Sequence, residues 1–135
     1  MRMILTALLA AGTLVASIAR ADSHPEAYLI APADGATVKS PVTVVFGLRG
    51  GFGVAPAGTQ LPNTGHHHLL VDAAAPPLDQ PIPKDAQHIH FGAGQTETTL
   101  ELAPGKHTLQ LLLGDFAHVP HKPPVMSQPI TITVE

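Results

Sequence analysis

Three clusters of imidazole dominate this chain: Gly65-His66-His67-His68, His88-Ile89-His90 and His118-Val119-Pro120-His121, with His107 between the last two. Eight of its nine histidines fall between positions 66 and 121. Imidazole is the commonest neutral nitrogen ligand for copper, zinc and nickel, and it titrates near neutrality. No cysteine and at most one thioether are at hand in residues 22–135, so Cu(I)-specific and Fe–S sites are poorly supported and an imidazole-dominated donor set remains. Such a set suits Cu(II), Zn or Ni, and copper leads the affinity order. The chemistry expected first is therefore the binding of a metal ion, copper ahead of zinc.

Alternation along a strand sorts the candidates. In His66-His67-His68-Leu69-Leu70-Val71 the set His67, Leu69, Val71 should face a core, so that His66 and His68 point together the other way. In His88-Ile89-His90-Phe91 the core set is Ile89 and Phe91, and His88 projects with His90. Residues two apart on a strand lie about 6–7 Å apart, close enough for two imidazoles to share an ion at about 2.0–2.1 Å. If the two strands are neighbours, His66, His68, His88 and His90 form a four-nitrogen site. His118 and His121 lie in a Pro-rich loop that would fold over the same face as a third arm.

Other groups stand around this set. His67 and His107 share parity with core residues and read as half-buried histidines or as hydrogen-bonding neighbours that orient the ligands. Asp115 and Asp72 are nearby acids, and Met126 offers a soft thioether for copper. Their bland readings are a turn residue, a strand end and a core filler. A second site is conceivable at Asp22-Ser23-His24: with Asp22 as the amino terminus, an amine, two amides and the His24 imidazole make a square-planar nitrogen set. No nucleophile–base constellation accompanies any of these, since Ser23, Ser40 and Ser127 sit in no recognisable catalytic motif.

The elements that must position these residues read as strands. Candidates are Ala27–Ile30, Val42–Leu48, His66–Asp72, His88–Phe91, Thr96–Leu102, His107–Leu113 and Ile130–Val134, many of them bounded by Pro or Gly. Leu100–Leu102, Ala103-Pro104-Gly105-Lys106 and His107–Leu111 read as a hairpin with a Pro-Gly turn. Fourteen prolines and no sustained helical period argue against helix. About seven short strands fit a small all-β antiparallel Greek-key sandwich, immunoglobulin-like or cupredoxin-like. Three loops are long: Arg49 to Gly65, Ala73 to Gln87 and Gly114 to Pro129. Loops of that length in a compact domain are usually functional or disordered.

Residues 1–21 have the parts of a secretory signal: Arg2, an apolar run from Ile4 to Ile18, and the small-x-small site Ala19-Arg20-Ala21. That run is short for a membrane span, and nothing later is long and apolar enough. A periplasmic or secreted destination is expected, with one domain over residues 22–135. That domain keeps five bases against ten acids, a net charge of −5. The sign repels phosphate backbones, and with no tryptophan and a single tyrosine few stacking platforms exist, so nucleic acid is an unlikely partner on both counts.

Gly53-Val54-Ala55-Pro56-Ala57-Gly58, Asn63-Thr64-Gly65-His66-His67-His68-Leu69-Leu70-Val71-Asp72 and His88-Ile89-His90-Phe91-Gly92-Ala93-Gly94-Gln95-Thr96 carry a family resemblance. Pro104–Leu109, Gly114-Asp115, His118–His121 and Pro123-Pro124 continue it. The chain resembles the bacterial domain-of-unknown-function family 4399 over about Ala27 to Val134. The resemblance implies a small secreted protein and carries no activity with it. Three readings follow from the residues, in this order: a metal-binding, buffering or delivery protein; a non-enzymatic interaction domain whose histidines are structural or pH-responsive; and an enzyme in which a His-ligated copper or zinc with an open position is hydrolytic or redox-active.

Overall fold

A computed structural model describes residues 24–135. The expected export signal, Asp22 and Ser23 lie outside the described residues. Within them there is no helix, and nine strands occur: β1 (Glu26–Ala31), β2 (Thr37–Val38), β3 (Val42–Arg49), β4 (Gly53–Val54), β5 (Thr64–Val71), β6 (His88–His90), β7 (Glu97–Leu100), β8 (Gly105–Gly114) and β9 (Ile130–Val134). All seven expected strands are present. The two-residue strands β2 and β4 are additional, too short to leave an alternating pattern in sequence.

The strands form two sheets. One has the order β1-β3-β7; the other runs β2-β9-β8-β5-β4, and β6 also pairs with β5. Pairing is antiparallel except for the short β2·β9 and β4·β5 contacts. The protein is thus a small all-β sandwich, mixed only where the two-residue strands add to an edge.

The expected hairpin between residues 100–102 and 107–111 does not form. β7 pairs with β3 in the small sheet, and β8 pairs with β5 and β9 in the large one. The Pro-Gly segment carries the chain between sheets, and Leu102 N–H donates to Ser40 Oγ at 3.1 Å rather than to β8. A turn signal says that the chain bends; which strand receives it depends on where its apolar face is covered.

Between the sheets lies one core. Val42, Val44 and Phe46 of β3 meet Leu69 and Val71 of β5, Leu109, Leu111 and Leu113 of β8, and Ile132 and Val134 of β9. The period-2 alternation of those strands puts each set on one face, and each buried side chain of this size stabilises the fold by about 1.5–3 kcal/mol. The outer face of the large sheet carries a second buried layer. Leu70, Leu112 and Ile82 are buried there, outside the main cluster.

The three long loops cover that outer face, and they bond to one another. Gly58 N–H donates to Phe116 C=O at 3.0 Å and Ile82 N–H to His118 C=O at 2.8 Å, while Ala57 N–H ties the first loop to Gly92 C=O, just after β6, at 2.9 Å. Loops satisfied by each other in this way can bury what lies beneath them without stranding their own backbone groups.

Candidate metal centre

Beneath the loops, four imidazoles from three segments converge. His66 and His68 stand two apart on β5, pointing away from the core. His90 of β6 is the direct register partner of His68. His118 comes from the turn after β8. Ring centroids are 4.8 Å apart for His66–His68, 4.9 Å for His66–His90, 4.9 Å for His66–His118, 5.1 Å for His68–His90, 6.0 Å for His68–His118 and 4.8 Å for His90–His118. His66, His68 and His90 each bring a ring nitrogen within 4.8 Å of the other two, close enough to hold one metal ion.

The hydrogen bonding of this group is incomplete. His90 Nε2 and His118 Nε2 lie 3.0 Å apart, one donating to the other. Both ring nitrogens of His66 and both of His68 are buried with no hydrogen-bond partner. An unsatisfied buried polar group costs about 1–3 kcal/mol, so the fold holds these rings in place at an expense that an ion would relieve. Burial, reinforced by the neighbouring rings, pushes the His66 imidazole down to about 4 and that of His68 down to about 3. Burial lowers His90 too, with His118 and Lys84 adding to it. Rings kept neutral in this way are in the form that binds metal.

Two glycines make room for the rings. A β-carbon on Gly114 would stand 2.8 Å from His68 Cε1, and one on Gly92 would stand 2.3 Å from His90 Cε1. Each imidazole therefore lies in a space that only glycine leaves open. Asp115 shapes the turn that presents His118: its Oδ1 accepts from Ala117 N–H at 2.8 Å and Val119 N–H at 2.9 Å. His118 itself adopts φ 67°, a left-handed conformation held by that turn.

The other sequence candidates are placed elsewhere. His88 is not in the group: its Nδ1 donates to Asp85 Oδ1 at 2.7 Å, and the short β6 leaves it at the far end of the pair. His121 is also outside, its Nε2 donating to Thr64 C=O at 3.0 Å while its ring packs edge-on against Phe52. His121 and His24 line a cleft of about 680 Å³ together with Phe52, Asn63 and Lys122. His67 faces the core, with its ring 5.3 Å from that of Phe46 and both nitrogens unpartnered. It touches the sandwich interior rather than the quartet.

His107 is occupied at the other end of β8. Its Nδ1 donates to Asp72 Oδ2 and its Nε2 to Ala103 C=O, each at 2.7 Å. Two acceptors require both nitrogens to carry hydrogen, and the His107 imidazole is accordingly raised, by Asp72 first and the carbonyl second. Met126 bridges Leu112, which in turn pairs with His68. With strands about 4.8 Å apart, its backbone stands about 10 Å from that of His68, with Leu112 between.

Sequence reasoning missed Gly92 and Gly114 as parts of the site. The signal lay in their placement, Gly92 two residues after His90 on the same side and Gly114 at the end of β8 opposite His66. It also missed that Asp85, three residues before His88, is within reach to capture it. No curated protein and no solved structure matches the chain. The family described as Domain of unknown function (DUF4399) matches residues 44–135, which include all four histidines of the quartet, and the chain belongs to that family.

Proposed function

We propose that this is an exported metal-binding protein that binds, buffers or delivers one copper or zinc ion through His66, His68, His90 and His118. The observation that carries the reading is the set of four buried, unpartnered ring nitrogens on His66 and His68, facing two further imidazoles. Imidazole nitrogens suit copper and zinc, and the absence of cysteine leaves no competing thiolate. The export reading draws on the apolar segment and the small-x-small site at residues 19–21.

Metal analysis of untagged protein, followed by calorimetric titration with Cu(II), Cu(I) and Zn(II), tests it. One ion per chain is expected. Alanine at His66, His68, His90 and His118 together abolishes uptake in a chain that still unfolds cooperatively, whereas His88→Ala with His121→Ala retains it. Wild-type protein that takes up neither metal overturns the reading.

A second reading, an interaction domain, draws on the exposed side chains of Leu61 and Phe116 on the loops that cover the site. It expects pH-dependent partner binding with no heat from either metal.

A further inference from the structure

Four imidazoles can hold an ion at the corners of a square or of a tetrahedron, and their six mutual distances separate the two. With metal–nitrogen bonds of about 2.0–2.1 Å, ring centroids sit about 3.2 Å from the ion. A tetrahedron then has six equal edges of about 5.2 Å, and a square has four sides of about 4.5 Å with two diagonals of about 6.4 Å. Five of the six distances here lie between 4.8 and 5.1 Å, and His68–His118 is 6.0 Å. The decisive value is the edge opposite the long one. In a square, His66–His90 would be the second diagonal, but it is 4.9 Å. The four ring centroids thus stand as a tetrahedron with one edge opened; nitrogens of His66, His68 and His90 already lie within 4.8 Å of one another, and His118 completes the set by closing that edge.

The backbone resists flattening it. His66 and His68 are fixed two apart on β5, and His90 is fixed opposite His68 by the β5–β6 ladder. Three of the four corners thus stand on paired strands, and the His68 and His90 rings are seated over Gly114 and Gly92. Only His118, on its turn, lies outside a strand, and its long edge to His68 is the one the site can close.

We infer that the site selects an ion with a filled d shell and tetrahedral preference, Zn(II) or Cu(I), against the square-planar preference of Cu(II) and Ni(II). This deepens the metal-binding reading and rests on it. The choice departs from the bare affinity order, in which Cu(II) comes first; geometry is the means by which proteins override that order. Copper, if it is the ion carried, is carried as Cu(I).

Co(II) reports coordination number directly: four-coordinate tetrahedral Co(II) absorbs visible light strongly, six-coordinate Co(II) weakly. Untagged wild-type protein is loaded with Co(II) and then challenged with Zn(II), Ni(II) and, without oxygen, Cu(I). The inference expects intense visible bands, their loss on adding one equivalent of Zn(II) or Cu(I), and affinity for Zn(II) at least tenfold above that for Ni(II). His118→Ala should keep the ion but change the bands as a water replaces the fourth ring; an unchanged spectrum removes His118 from the set and overturns the tetrahedron. Weak six-coordinate bands, or Ni(II) displacing Zn(II), overturn the inference while leaving metal binding intact. Absence of binding by all these ions overturns the reading beneath it.

Discussion

The imidazole of His68 lies directly over Gly114, at a spot where a β-carbon would come within 2.8 Å of its Cε1. Gly92 stands in the same relation to His90. The clustered imidazoles and the residues that have no side chain are thus parts of one arrangement.

Gly92→Ala should push the His90 ring off its vertex, and Gly114→Ala should displace both the His68 ring and the His118 backbone, whose Cα would stand 3.2 Å from the new β-carbon. Neither glycine has a positive φ that an alanine would strain. Metal affinity is expected to fall by about 10- to 100-fold, the range for groups that position ligands. Chelator competition on the two variants checks this, and wild-type affinity in both would show that the glycines do not set the ring positions.

Asp115 holds the turn that carries His118 through two backbone N–H bonds to one oxygen. Asp115→Ala leaves both donors unpaired and should weaken metal binding by about 10- to 100-fold. Asp115→Asn keeps an acceptor oxygen and should recover most of that loss. Equal affinities for the two variants would mean that charge, rather than the turn, is what Asp115 supplies.

His67 should make the metal-free protein sensitive to acid. Burial among apolar neighbours lowers its imidazole from 6.5 to about 4, so between those values the unfolded chain binds a proton that the folded chain refuses. Stability from the neutral ring is complete above about pH 6.5 and is lost as pH falls toward 4. At about 1.4 kcal/mol per unit, the loss approaches about 3 kcal/mol at the bottom of the window. Denaturant midpoints from pH 7.5 to 4.5 for wild type and His67→Leu, both in chelator, measure it. The variant should lessen the dependence by the His67 share, the remainder coming from the lowered imidazoles of His66, His68 and His90, and parallel curves would assign the sensitivity to those rings alone.

His107 should act with the opposite sign. Its folded value is raised by Asp72 and the Ala103 carbonyl, so the folded chain holds its proton more tightly than the unfolded one. That contribution is fully present below the unfolded value and disappears as pH rises through the raised folded value. His107→Gln should therefore cost most stability near pH 5.5 and progressively less as pH rises above 6.5, with metal affinity unchanged because the residue is at the far end of β8. NMR titration of the imidazole gives the folded value directly, and a value at or below 6.5 would contradict the pairing.

Much of the site was legible where one strand's alternation decides it. His67 goes inward with Leu69 and Val71, and His66 and His68 go outward, because successive residues of β5 must face opposite sides. His90 follows by the same rule. His88 obeys the parity yet leaves the group, because β6 is three residues long and Asp85 captures the ring first. His118 and His121 were equivalent in sequence; a turn built on Asp115 sends the first to the quartet, and the Thr64 carbonyl takes the second.

The sequence by itself determined the kind of donor group available, the all-β class, the core faces and the three long loops, since donor type, period-2 patterning and turn residues are local properties. Only the tertiary structure decided that β7 and β8 part into different sheets, that the three loops bond to each other over β5, and which four rings converge. Those outcomes turn on distances between residues far apart in the chain, which are set by packing one face against another, and no local pattern encodes them.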